Sequence, residues 1–460
     1  MPNCGCNDYS RTQLLRRAAA EAGRGLPAIE TGMPMPAGTG LSRRSFLSRS
    51  AGLALAVYGA STLGPREFEE GIASAAAQGS DDRVLVSVFL SGGADSLTML
   101  APKQSAHPLY SSLRPGLALP EGEGQDFAGD PSLRWHPSMS GLATLHDEGK
   151  VTVMPAIGYD DPNQSHFTSR HYWEVGELNP FGRWGWLGRY LDAHGSADNP
   201  LQGLTLGWDL QPSLAARDVP VATVSQPDEY DFWANDVGGT VYEAMLNAFS
   251  DMGDPATADV GLGQARSAVA ATGRLRDQLA PFNSPIVLPG GYPNTSFGRR
   301  LAWVVKLLEA GLPLKVVAIE SGGYDTHSNQ QASLPPDLAE VSSALLAFQR
   351  DLESKPAGAP KLSERVMVHV WSEFGRRPRE NDGGTDHGAA GASFVIGSKA
   401  SGQTIGEFPG LASLDNRDNL RKTSDFRSVY CSLLEQWMGA GAAGIIPNAG
   451  TFDRPALVNP

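Results

Sequence analysis

Arg83-Val84-Leu85-Val86-Ser87-Val88-Phe89-Leu90 is an unbroken run of apolar and β-branched residues that ends in Ser91-Gly92-Gly93-Ala94-Asp95-Ser96. A strand apolar on both faces is what a parallel sheet covered on both sides requires. Residues 151–157 (VTVMPAI) repeat the pattern after a helical segment over 139–148. Residues 314–320 (LKVVAIE) repeat it again after an amphipathic helix over 297–311, where Leu301, Val304, Val305 and Leu308 share a face and Gly311 suits the C-terminal cap. A second amphipathic helix over 338–352 precedes a fourth strand over 365–371. Helices alternating with short apolar strands predict an α/β fold with a mostly parallel sheet flanked by helices. The stretch 160–296 has no clean strand period and reads as an inserted, loop-rich segment with covering helices over 238–252 and 261–279.

Composition sets the outer bounds. The chain has 460 residues, 41% hydrophobic and 19% charged, which excludes a disordered polymer, and its three Cys exclude a disulfide scaffold. No run of 18 apolar residues offers a bilayer span. A net charge of −13 argues against nucleic acid as partner, since no basic stripe is available to displace phosphate counterions.

Residues 1–80 read as an address. Ser42-Arg43-Arg44-Ser45-Phe46-Leu47 resembles the twin-arginine export signal, the apolar stretch 51–63 suits its h-region, and Ala73-Ser74-Ala75 and Ala75-Ala76-Ala77 offer small-x-small cleavage sites. The expectation is export by the twin-arginine machinery to the periplasm or beyond, leaving 81–460 as a single α/β domain. The segment 1–80 carries eight Arg and six acids, so the remainder holds 29 bases and 44 acids, net −15. Cys4 and Cys6 leave with it, and Cys431 alone cannot form an internal disulfide. The Cys4-Gly5-Cys6 pair has no metal partner nearby.

In an open parallel sheet ligands collect beyond the carboxyl ends of the strands. Each strong strand here runs into a polar loop: Gly92-Gly93-Ala94-Asp95, then Asp160 to His166, then Gly322-Gly323-Tyr324-Asp325-Thr326-His327, then Ser372-Glu373-Phe374-Gly375-Arg376. Gly383-Gly384-Thr385-Asp386-His387-Gly388 follows shortly. Paired glycines allow tight turns and close backbone approach. Carboxylate and imidazole within two residues suit Zn²⁺ or Mn²⁺. Two such pairs with Asp95 predict a two-metal centre, whose ions typically lie ~3.5–4 Å apart. His369 alternates with Met367 and Trp371 on its strand and reads as core. The aromatic side chains of the middle segment, Trp173, Trp184, Trp186, Trp208 and Trp233, read mainly as packing under long loops.

These motifs, with Asn163-Gln164-Ser165-His166-Phe167, Gly185-Trp186-Leu187-Gly188-Arg189-Tyr190-Leu191 and Thr423-Ser424-Asp425-Phe426-Arg427, resemble the DUF1501 family over about 83–440. That family is largely uncharacterised but resembles the alkaline phosphatase and sulfatase superfamily. The resemblance implies an alkaline phosphatase-like fold and two-metal hydrolysis of phosphate or related esters. Carried over, Asp95 is the first-strand metal carboxylate, Asp386 and His387 belong to one metal site, and Asp325 and His327 to the other. The third ligand of the latter is open between His166, Glu373 and Asp425. Ser165, just ahead of a helix-like segment over 166–175, matches the nucleophile at a helix start; it equally suits a helix N-cap. Arg170 or Arg376 would clamp the oxyanion. The family often has Asn where this chain has Ala94.

Some chemistry is excluded outright. Cys431 lies in Val429-Tyr430-Cys431-Ser432-Leu433, not in the C/S-x-P-x-R context of formylglycine sulfatases, and there is no G-x-S-x-G elbow, P-loop or G-x-G-x-x-G fingerprint. The expected function is an exported metal-dependent hydrolase acting on a small or polymeric ester. The alternative is a non-catalytic secreted binding or assembly protein that keeps the fold.

Overall fold

The computed structural model describes residues 57–58, 83–230, 239–253, 260–356 and 361–459. The strands of its main sheet are β1 (Val57–Tyr58), β2 (Val84–Ser91), β3 (Val151–Gly158), β4 (Gly203–Leu206), β5 (Val221–Val224), β6 (Val316–Gly322), β7 (Val366–Trp371), β8 (Gly391–Ile396) and β9 (Ser424–Asp425). The helices of seven residues or more are α1 (Ser140–Asp147), α2 (His166–Val175), α3 (Trp186–His194), α4 (Gly239–Asp251), α5 (Val260–Leu279), α6 (Ser296–Glu309), α7 (Gln330–Ser354) and α8 (Phe426–Ser432).

Among the described residues the sheet has nine strands in the order β1-β5-β4-β6-β2-β7-β8-β3-β9. Strands β5, β4, β6, β2 and β7 pair in parallel. Strand β8 runs antiparallel to both neighbours, β7 and β3, and β1 is antiparallel at the far edge. The fold is therefore α/β, with a mostly parallel sheet flanked by helices.

Strand β2 shows why the opening run is apolar throughout. Its successive side chains point to opposite faces. Val84, Val86, Val88 and Leu90 join a core with Leu142 of α1, Leu301 and Val304 of α6 and Leu338 and Leu345 of α7. Leu85 and Phe89 join the opposite core with Trp173 of α2, Leu187 and Leu191 of α3 and Val429 of α8. Neither face meets water, so no alternation of polar residues survives. His369 is fully buried with Nε2 3.1 Å from Ser393 Oγ, and burial pushes its imidazole down to about 3. Trp173 and Trp186 are core residues while Trp208 is about half exposed. Cys431 is buried, and its thiol is pushed up to about 11 by that burial.

Two parts of the chain differ from the expectation. The segment 160–296 contributes β4 and β5 to the main sheet, where only loops and covering helices were expected. GLTL and VATV are four residues each, too short to display a period. Helix α7 starts at Gln330, eight residues before the reading at 338, because Pro335 and Pro336 lie inside it and read as a break. The twin-arginine motif, the cleavage sites, Cys4, Cys6 and Trp233 lie outside the described residues, and of the h-region only Val57–Tyr58 lies inside them. No helix among the described residues is long and apolar enough to cross a membrane.

Candidate metal centre

The carboxyl ends of β6, β2, β7 and β3 lie on one side of the sheet, and the loops after them meet there. Close approach of the first two depends on Gly92, at φ 124°, where a side chain would strike the backbone of Tyr324 and Asp325. Gly93, at φ 69°, leaves room for the Phe374 ring. The loop after β6 is thereby pressed against the loop after β2.

Asp325 stands at the middle of this meeting point. Its Oδ1 lies 3.1 Å from His327 Nε2, 3.4 Å from His166 Nε2 and 3.4 Å from His387 Nε2. The Nε2 atoms of His327 and His387 are 3.0 Å apart. Ligand atoms of His166, Asp325 and His387 all fall within 4.8 Å of one another. Four donors around a tetrahedral Zn²⁺, at bonds of ~2.0–2.1 Å, would stand about 3.3 Å apart. The spacings of Asp325 Oδ1 to the three Nε2 atoms and of His327 to His387 are of that size.

The other nitrogen of each ring is held. His166 Nδ1 lies 2.8 Å from Glu373 Oε1, and His387 Nδ1 lies 2.7 Å from the carbonyl oxygen of Gln164. Carboxylates and carbonyls only accept, so these Nδ1 atoms carry the protons and the Nε2 lone pairs face inward. His327 Nδ1 faces Asp386 Oδ1 at 3.6 Å. The Nε2 atoms of His327 and His387 are within hydrogen-bond distance of each other at 3.0 Å, and Arg376 Nη1 lies 3.3 Å from His327 Nε2. Glu373 is itself fully buried and accepts from the backbone N–H groups of Gly92 and Gly93, at 3.0 Å each, and from Ser372 Oγ at 2.9 Å.

Burial and close partners shift the titration of the cluster strongly. Burial alone would raise Asp325, but the imidazoles gathered around its Oδ1 and the charge of Arg376 hold it far below the usual carboxylate range. Burial pushes His387 down to about 4. Burial also opposes charge on His166, yet Asp325 and Glu373 carry it above the ordinary imidazole value. Asp325 and Glu373 bring two formal negative charges to the cluster and Arg376 one positive charge. A donor set of imidazoles and a carboxylate is one that could hold a divalent metal ion.

The sequence-predicted residues fall into two groups. Asp325, His327 and His387 converge, and His166, one of the open third-ligand candidates, completes the set. Asp95 does not join them. It caps the helical turn Ser96–Met99, and its two oxygens accept from Arg114 Nη1, Arg114 Nη2 at 2.9 Å, Thr98 Oγ1 at 2.7 Å, Gln330 Nε2 at 2.6 Å and Leu97 N at 3.3 Å. A carboxylate with five donors has no lone pair left for an ion. Asp386 lies beside His387 on the strand Gly384–His387, so the two side chains point opposite ways. His387 is buried while the Asp386 side chain is 50% exposed and accepts from Asn381 Nδ2 at 2.6 Å. Among the described residues these side chains assemble one group of ligand atoms, where the sequence suggested a two-metal centre.

The expected oxyanion clamps are also committed elsewhere. Arg376 is fully buried and donates to the carbonyls of Gly92, Gly93, Tyr324 and Thr385 and to Asp325 Oδ1 at 2.6 Å. Arg170 donates to Glu174 at 2.7 Å, Gln211 at 3.0 Å and Glu320 at 3.2 Å, and lies over the Phe89 ring. Asp425, the remaining third-ligand candidate, caps α8 and pairs with Arg427 at 2.9 Å. Ser165 occupies the N-cap position of α2, directly before the ligand His166, yet its hydroxyl makes no capping bond.

Fold and site together define an α/β protein with a cluster of histidines around Asp325 at the carboxyl edge of its sheet. The family model described as "Protein of unknown function (DUF1501)" matches residues 162–434, more than half of the chain. The chain belongs to the DUF1501 family. No curated protein matches its sequence. Among solved structures, a protein in the alkaline phosphatase superfamily from Vibrio parahaemolyticus is similar over 85% of this chain and 79% of its own, with 8% identity and a TM-score of 0.35. The PH0037 protein from Pyrococcus horikoshii is similar over 77% of this chain and 96% of its own, with 9% identity and a TM-score of 0.27.

Proposed function

We propose that the chain is an exported metal-dependent hydrolase of phosphate or related esters, built as a single domain over 81–460. The observation that carries this reading is the convergence of three imidazole Nε2 atoms on Asp325 Oδ1. His166, Asp325, His327 and His387 would hold one divalent cation, with Glu373 and the Gln164 carbonyl orienting two of the rings. A cation there would supply Lewis-acid polarisation of an ester oxygen by expanding its coordination beyond these four side chains.

Ser165 is the nucleophile in this reading. It adjoins a ligand in sequence, and no capping bond occupies its hydroxyl. It also stands at the N-terminus of α2, whose first-turn N–H groups and dipole favour developing negative charge. Attack by Ser165 Oγ on the ester centre expels the alcohol and leaves a seryl ester, which water then hydrolyses. Arg376 keeps Asp325 and the Gly92-Gly93 loop in place, and Arg170 supports the adjoining wall.

One observation favours a second reading. Both arginines expected to bind a substrate anion are engaged by the protein itself, as a metal-holding binding or assembly protein would tolerate. Turnover of p-nitrophenyl phosphate and bis-p-nitrophenyl phosphate by Zn²⁺- or Mn²⁺-loaded protein separates the two. Hydrolysis is expected, with Ser165→Ala lowering kcat by about 10²-fold or more while the bound ion is retained. An ion bound without turnover of either ester would favour the binding protein, and an unchanged kcat in Ser165→Ala would remove Ser165 as nucleophile.

A further inference from the structure

We infer that Gln330 is the positioning residue that locks the two ligand-bearing segments of the centre into one geometry, an inference that rests on the metal-centre reading. Gln330 is the first residue of α7 and is buried. Its side chain makes three hydrogen bonds, each to a different segment. Oε1 accepts from Thr326 Oγ1 at 3.0 Å and from Thr385 Oγ1 at 2.7 Å. Nε2 donates to Asp95 Oδ2 at 2.6 Å.

The two threonines are the joints of the centre. Thr326 lies between the ligands Asp325 and His327, and Thr385 lies two residues before the ligand His387. Both are buried, and Thr385 N donates to the Thr326 carbonyl at 3.0 Å. The Gln330 backbone adds a bond from its N–H to the Gly383 carbonyl at 2.9 Å, at the start of the second segment. One amide therefore spans both segments and anchors them to Asp95, which Arg114 immobilises from the other side.

The amide is the required chemistry. Asp95 is ionised beside Arg114 and can only accept, so the NH₂ group must face it and the carbonyl must face the threonines. Glutamate would set a second carboxylate against Asp95. Methionine would keep the volume while removing all three bonds. The buried Asp95, which the sequence suggested as a ligand, thus acts on the centre through Gln330.

The test uses the full chain, Zn²⁺ titrated against a chromogenic competitor, and the visible spectrum of the protein loaded with Co²⁺. Gln330→Met is expected to weaken Zn²⁺ binding by about 10–100-fold, the range found for groups that orient metal ligands. It is also expected to alter the intensity and positions of the Co²⁺ bands. Thr385→Val, nearly isosteric, removes one leg of the clamp and should shift both readouts in the same direction, which keeps the inference testable if Gln330→Met does not fold. A lowered unfolding midpoint with wild-type Zn²⁺ affinity and an unchanged Co²⁺ spectrum would mean that Gln330 only stabilises the fold, and would overturn the inference while leaving the centre standing. Failure of the wild-type chain to bind Zn²⁺ would overturn both.

Discussion

Asp325→Asn is expected to lower Zn²⁺ affinity by at least roughly 10²-fold, the upper end of what removing an orienting group does. The substitution conserves volume and leaves Arg376 its four carbonyl acceptors, so the fold should persist. What is lost is the charged oxygen on which His166, His327 and His387 converge. Equilibrium dialysis with circular dichroism on the same samples checks the outcome. Undiminished affinity in a folded Asp325→Asn variant would place the ion elsewhere.

Arg114→Met is expected to destabilise the chain by about 3–5 kcal/mol, the typical cost of stripping the partner from a buried charge. Arg114 and Asp95 are both fully buried, and a methionine side chain offers Asp95 no donor in place of the guanidinium. Burial alone would raise the Asp95 carboxyl, and it is the Arg114 charge and hydrogen bonds that bring it below its ordinary value. Arg114 also donates to the carbonyls of Pro378 and Arg377, tying down the ribbon that leads to His387. Adding Asp95→Asn to Arg114→Met removes the stranded charge and should recover part of the loss. Urea unfolding of the two single variants and the double variant measures this. Equal losses in Arg114→Met and the double variant would show that the ion pair itself contributes little.

The alternation of helices with apolar strands was legible because it is local. Each strong run became a strand, and the glycine-flanked loops after them became the rim of the centre. Asp325 and His327 were readable for the same reason, as a carboxylate and an imidazole two residues apart just after a glycine pair at a strand end. Asp386 was not, because a residue adjacent to His387 on a strand must face the other way. Asp95 misled because its partners are remote: Arg114 lies 19 positions on and Gln330 lies 235 positions on. No local pattern announces that five donors will converge on one carboxylate. His166 was visible only as one of three alternatives. What selects it is Glu373, 207 positions away, which turns its ring inward. The short strands of the middle segment escaped because four residues carry too little period to read.

The quantity that bears most directly on a single cation centre is the number of zinc ions retained per chain, measured by elemental mass spectrometry after loading and exhaustive dialysis at neutral pH. One ion per chain is expected in the wild type, and none in His166→Ala or Asp325→Asn with the fold intact. Two ions per chain, or one ion that survives His166→Ala, would contradict a centre built from His166, Asp325, His327 and His387.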